Sequence, residues 1–260
     1  MPSSPYNFHN MYNCLISGAR PLPSDLKMDA DSLLLLTGIC ADILFSHYSF
    51  SSVSECAEEL LAQSSQNPHA PLSCPAEALR HQYILKAALS RWLQHFEEVV
   101  RQDVLAFFYF CKLLLCFPDV LKLPQLVGYP PNTNSASTTT GSTNPGLIEV
   151  SDEAVNCAWR ILDNSDALGD ASGPNIAIWL PAVLFYAGLT IWCHLRPQGS
   201  SLNSRTGTMR TLKMFKDELS HLPWPCCVEM CCTLDGLMGQ STNENANRGH
   251  RAGLRYESGP

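Results

Sequence analysis

The chain has 260 residues, 45% of them hydrophobic, which is enough to bury a sizeable core and excludes a miniature scaffold that depends on disulfides. Charged residues make up 16% and the formal net charge is -7, so the molecule as a whole has no electrostatic reason to sit on nucleic acid or on an anionic membrane. Among the 12 cysteines, Cys40, Cys111, Cys116, Cys157 and Cys193 lie inside apolar helical patterns, as reduced thiols acting as small core hydrophobes do.

The N-terminus, "MPSSPYNFHN", has neither a basic start nor an apolar core, so no secretory signal is expected and an intracellular, reducing compartment is the reading. The first helical pattern is "SDLKMDADSLLLLTGICADILFSHY", with Ser24 as a cap and acidic residues in its early turns. A shorter amphipathic segment, "SVSECAEELLAQ", follows. Pro75 then opens the clearest helix, in which Leu85, Ala88, Leu89, Trp92, Phe96, Val99 and Val100 recur at spacings of three and four. Arg91, Gln94, Glu97 and Glu98 fall on its wet side. "DVLAFFYFCKLLLCFPDV" is apolar nearly all round and stops at Pro118, which predicts a central core helix.

"GYPPNTNSASTTTGSTNPG" has nothing to bury and reads as a flexible loop. Helical pattern resumes at "VSDEAVNCAWRILDNSDAL", where Ser151 can cap while Asp152 and Glu153 favour the positive end of the helix dipole. The most apolar stretch comes next, "WLPAVLFYAGLTIWCHLRP". From Ala171 to Leu195 it holds no Asp, Glu, Lys or Arg, so a membrane helix using Trp179 to Leu195 is a real alternative. However, proline is comfortable only in the first turn of a helix, and a helix from Pro181 to just before Pro197 is about 22 Å long at ~1.5 Å per residue, against ~30 Å of hydrocarbon. Burial among other helices is the better reading.

After the loop "RPQGSSLNSRTG" come the helical segments "TMRTLKMFKDELSHL" and "PWPCCVEMCCTLDGLM". No run alternates in the manner of a strand, and the class expected is all-α: an irregular multi-helix bundle with long polar loops and a disordered C-terminal tail. One helical region over 1–238 is expected, interrupted by flexible loops at 128–147 and 197–207, with the tail at 239–260.

Cys226, Cys227, Cys231 and Cys232 form the densest thiol cluster, with His221 nearby, but no two cysteines stand at the C-x2-C spacing that zinc sites favour. Cys227 and Cys231 would share a helix face, which supplies two ligands and not a site. His81, His95 and His194 are scattered, and the adjacent pairs Glu58–Glu59 and Glu97–Glu98 point in different directions on a helix. No nucleophile elbow, zinc-protease or phosphate-loop motif occurs. The basic residues Arg196, Arg205, Arg210, Lys213 and Lys216 are interrupted by Asp217 and Glu218, without aromatics spaced to stack on bases. No catalytic, cofactor-binding or metal-binding residue is therefore assigned, and no enzyme activity is expected.

Taken in order, "FHNMYNCLISGARPLPSDLKMDADSLLLLTGICADI", "RWLQHFEEVVRQDVLAFFYFCKLLLCFPDVLKL", "AVNCAWRILDN", "WLPAVLFYAGLTIWCHLR" and "LPWPCCVEMCCTLDGLM" resemble the C-terminal part of the fungal-specific transcription factor domain, the middle homology region of zinc-finger regulators. The resemblance covers roughly Phe8 to Met238. It implies a helical regulatory region of a nuclear protein in RNA polymerase II transcription, acting through protein partners, self-association or a small-molecule effector, with no membrane. The zinc-binding part has no counterpart, since no C-x2-C or H-x3-5-H pattern occurs. Zinc and DNA contact are expected only of a domain absent from these residues.

Overall fold

The structure, a computed structural model, describes residues 7–27, 29–61, 75–129, 148–166, 176–196 and 202–253. Those residues are all-α, with no strand among them: α1 (Phe8–Ser17), α2 (Asp29–Leu61), α3 (Pro75–Phe96), α4 (Gln102–Cys116), a 3-10 turn (Pro118–Lys122), α5 (Leu123–Leu126), α6 (Asp152–Asp166), α7 (Leu180–Leu195), α8 (Leu202–His221) and α9 (Cys226–Gly253). Where one helical region was expected over 1–238, the contacts gather into two compact units, Met1–Pro118 and Asp119–Pro260.

In the first unit, α1 packs on α2 and α3, and α4 packs on α2 and α3. The face expected of α3 is the buried one, with Leu85, Ala88, Leu89, Trp92 and Phe96 all at or near zero exposure. Trp92 is the centre of this core. It stacks on Phe108 of α4 at 5.4 Å and donates its indole N–H to the Ser32 carbonyl of α2 at 2.8 Å. Burying an aromatic of this size with its one polar atom satisfied is the arrangement that stabilises most.

Helix α1 was not foreseen. Asn7 caps it by accepting from the His9 amide, and Gly18 ends it at φ 63° with its N–H on the Cys14 carbonyl. The Tyr12 ring lies against Gly38 of α2, where a Cβ would come within 2.9 Å of it, and its hydroxyl donates to Asp42 at 2.6 Å. Arg91, expected on the wet side of α3, instead turns its guanidinium onto the Leu15 and Ile16 carbonyls at the C-terminal end of α1. Those carbonyls have no partner within their own helix, so a cation there serves as hydrogen-bond donor and as dipole complement.

Other boundaries also differ from expectation. Ser24 lies in a turn, and α2 starts at Asp29 and runs unbroken to Leu61, absorbing the segment read as separate. Helix α3 ends at Phe96, leaving Val99 and Val100 in the turn before α4. Helix α8 starts at Leu202, inside the loop expected to reach 207, and α9 continues to Gly253, inside the expected tail; no proline interrupts either stretch. The loop at 130–147, residues 197–201 and the last residues 254–260 lie outside the described residues.

In the second unit α7 is surrounded, packing on α5, α6, α8 and α9. It starts at Leu180 with Pro181 in its first turn, spans 16 residues and buries twelve of them. Its length is about 24 Å. Gly188 lets α8 approach closely, since a Cβ there would meet Phe215 at 3.3 Å. Ser151 caps α6 as expected, accepting from the Ala154 amide at 3.3 Å, and Trp159 packs on Phe215 at 6.1 Å. One stretch among the described residues, Asp29–Ser49 of α2, is long and apolar enough to cross a membrane; its mean hydropathy is 1.3 and 33% of its most apolar window is buried.

Candidate functional site

The second unit holds a cleft of about 350 Å³ lined by Leu121, Pro124, Gln125, Tyr129, Ala182, Phe185, Tyr186 and Met230. Three separate pieces of chain build it. After the 3-10 turn, α5 is closed by Gly128 at φ 74°, and the Tyr129 amide returns to the Pro124 carbonyl at 2.8 Å. That tight turn sets the Tyr129 ring against Phe185 of α7, 4.9 Å between centroids. Ala182, Phe185 and Tyr186 share a face of α7 because they are three and four positions apart, and Met230 comes from α9.

No lining side chain carries a charge at neutral pH. The Tyr129 hydroxyl is pushed further up, by burial first and then by Cys226, Glu229, Cys227 and Tyr186, so it stays protonated and able to donate. The cleft therefore presents aromatic and aliphatic surface, phenolic hydroxyls and the Gln125 carboxamide. Uncharged apolar groups with a hydrogen-bonding end suit such walls, and cavities of this size fall at the small end of ligand sites. The lining joins no nucleophile to a base.

The thiol cluster at the start of α9 is divided by its helix. Cys227 points inward, Cys231 is half-buried, and Cys226 and Cys232 are exposed. Burial, with Cys226 beside it, pushes the Cys227 thiol up to about 12. Cys231 is also pushed up by burial, against the partial relief of Lys216, whose carbonyl accepts its S–H at 3.7 Å. Cys227 and Cys231 do share a face, but His221 is exposed at the end of α8, and among the described residues no three His, Cys, Asp or Glu side chains converge as metal ligands. Just before this helix, the buried Trp224 indole nitrogen lacks a hydrogen-bond partner.

The histidines tie elements together. His81 meets Ser46 at 3.1 Å and His95 meets the Leu26 carbonyl at 3.0 Å; His194 is half-buried at the end of α7. Glu97 and Glu98 are exposed, and the Glu58 and Glu59 side chains lie outside the described residues. Of the basic run, Arg196 covers the Trp192 ring at 5.2 Å and Lys216 pairs with Asp235 at 2.7 Å, while Arg210 and Lys213 are exposed on α8. The cleft residues themselves were missed. They belong to no motif and come together only through packing.

No family model matches this chain, nor does any curated protein or solved structure.

Proposed function

We propose that this chain is a non-catalytic regulatory and interaction region of a nuclear regulator of RNA polymerase II transcription. The observation that carries the reading is the uncharged cleft of the second unit, whose walls suit an apolar effector. The ordered resemblance to the fungal-specific transcription factor domain adds direction, and an all-helical architecture is what that resemblance implies. Protein partners or self-association transmit the signal in this reading. Contact with DNA, and zinc, are left to a domain other than these residues.

The test is the cellular distribution of a fluorescent fusion together with carbonate extraction. Nuclear accumulation and release into the carbonate supernatant are expected. Retention in the membrane pellet contradicts the proposal.

A second reading, membrane association, has one observation in its favour, and it lies in α2 instead of the Trp179–Leu195 segment. Asp29–Ser49 is long enough to span, while α7 is about one turn short of crossing and is buried on most sides. Against it, the α2 stretch carries Asp29, Asp31 and Asp42, and Asp42 accepts a hydrogen bond from Tyr12. The extraction experiment separates the two readings.

A further inference from the structure

Between Ser32 and Tyr48, helix α2 is apolar on every side, and the first unit covers only part of it. Leu36, Ile39 and Ile43 turn inward and are fully buried. On the opposite side Leu34 is 52% exposed, Phe45 72% and Tyr48 67%, with Ala41 exposed between them. Together with Gly38 these residues are spaced four, three, four and three apart, which is the repeat of a helix seam that meets another helix. At Gly38 the seam is filled from α1. The Phe8 ring, itself exposed and stacked on Tyr12 at 5.4 Å, lies 3.1 Å from where a Cβ of residue 38 would stand. Asp42 is the one Asp, Glu, Lys or Arg between Ser32 and Ser54, and it accepts the Tyr12 hydroxyl.

We propose that this face docks a second copy of the chain, as an antiparallel pair of α2 helices about a two-fold axis at Ala41. The seam is symmetric about that residue, since Leu34 and Tyr48 each lie seven positions from it. A two-fold axis there sets Leu34 of one copy against Tyr48 of the other and brings Phe45 onto Thr37 and the neighbouring Phe8 ring. The small Gly38 and Ala41 fall at the crossing, where the helices approach most closely. A parallel pair would place Asp29 and Asp31 beside their own copies, whereas the antiparallel one sends them to opposite ends and opposes the helix dipoles.

At roughly 200 Å² for a large side chain, Phe8, Leu34, Phe45 and Tyr48 leave about 450 Å² uncovered on each copy, or about 900 Å² in the pair. That is close to the ~1,000 Å² at which specific interfaces begin, and exposed Thr37 and Ala41 add to it. The pair is therefore a weak dimer that dissociates on dilution. It gives the self-association of the regulatory reading a surface but rests on α2 and α1 alone. A monomeric chain would end the pairing and leave protein partners or an effector to carry that reading.

Sedimentation velocity of the full chain over a roughly hundredfold range of concentration reads the pairing. The sedimentation coefficient is expected to rise from the monomer to the dimer value. Phe45→Glu and Leu34→Glu each put two carboxylates into the seam and hold the chain at the monomer value, with thermal unfolding unchanged because both positions are exposed. Tyr83→Glu, at an exposed position of α3, leaves the rise intact. Orientation is read by mixing Leu34→Cys and Tyr48→Cys chains under mild oxidation and mapping peptides by mass spectrometry, which is expected to join position 34 to position 48. A monomer at every concentration overturns the proposal, as does a dimer that survives Phe45→Glu, one lost equally in Tyr83→Glu, or a link between position 34 of both copies. Co-sedimentation with phosphatidylcholine vesicles that Phe45→Glu abolishes also overturns it, because the face then belongs to a lipid surface. The behaviour of the unsubstituted chain and the cross-link decide the matter even if a glutamate variant fails to fold.

Discussion

At the scale of single residues, the clearest lesson is that burial, not sequence proximity, sorts the four clustered cysteines. At neutral pH Cys227 is a protonated thiol, held there chiefly by desolvation. Labelling of the folded chain by a thiol reagent is expected to reach Cys226 and Cys232 quickly and Cys227 last; fast labelling of Cys227 would reopen a nucleophilic role for it. The same burial sets a pH dependence. The folded thiol titrates near 12 and the unfolded one near its ordinary value of 9.0, so the folded state binds the extra proton between them. This contribution to stability is complete below pH 9 and is lost as pH rises through that window. Denaturant unfolding from pH 8 to 10.5 reads it, and Cys227→Ala is expected to flatten the decline.

Arg91 belongs at this scale too. Its periodic position placed it on a solvated face, and only the approach of α1, a helix with no strong signal, makes it a cap. Arg91→Ala leaves the last carbonyls of α1 to water and is expected to lower stability by about 1–2 kcal/mol, measured by chemical denaturation.

At the scale of elements, helices announced themselves where one local rule was strong. Pro181 fixed the start of α7, Ser151 with Asp152 and Glu153 fixed that of α6, and the spacing from Leu85 to Phe96 gave the buried face of α3. Boundaries slipped where the sequence offered no stop signal, as in α2, whose polar "SSVSE" stretch continues the helix without a proline. The short α1 was overlooked although Asn7 and Gly18 bracket it as cap residues. What holds it in place is Tyr12 resting on Gly38, a contact between segments that spacing cannot reveal.

Two substitutions test this packing. Trp92→Ala removes the centre of the first core and is expected to cost about 3–5 kcal/mol. Gly188→Leu drives a side chain into Phe215, which is fully buried and cannot retreat, and is expected to cost about 1–3 kcal/mol despite the better helix propensity of leucine. If Gly188→Leu were neutral in thermal unfolding, the close approach of α7 and α8 would be wrong.

At the scale of the whole molecule, fold class was legible and the candidate site was not. Class follows from period, which is local; the cleft needs Tyr129, Phe185 and Met230 to meet, and nothing about any one of them foretells the other two. The functional reading joins that cleft to a resemblance spread over the chain. It treats α7, the most apolar segment, as a folding element whose outer face helps to build the cleft through Ala182, Phe185 and Tyr186. Filling the cleft with Ala182→Phe is accordingly expected to weaken saturable binding of an uncharged fluorescent probe, N-phenyl-1-naphthylamine, about tenfold while leaving thermal unfolding nearly unchanged, since Ala182 is not fully buried.

The central claim is regulation of transcription by a helical region that reads no DNA itself. The most direct measurement tethers the full chain, through a heterologous DNA-binding domain, upstream of an RNA polymerase II reporter. A several-fold change in reporter output, in either direction and altered by Ala182→Phe, is the expected result. Output indistinguishable from the DNA-binding domain alone, with the fusion present and nuclear, contradicts the account.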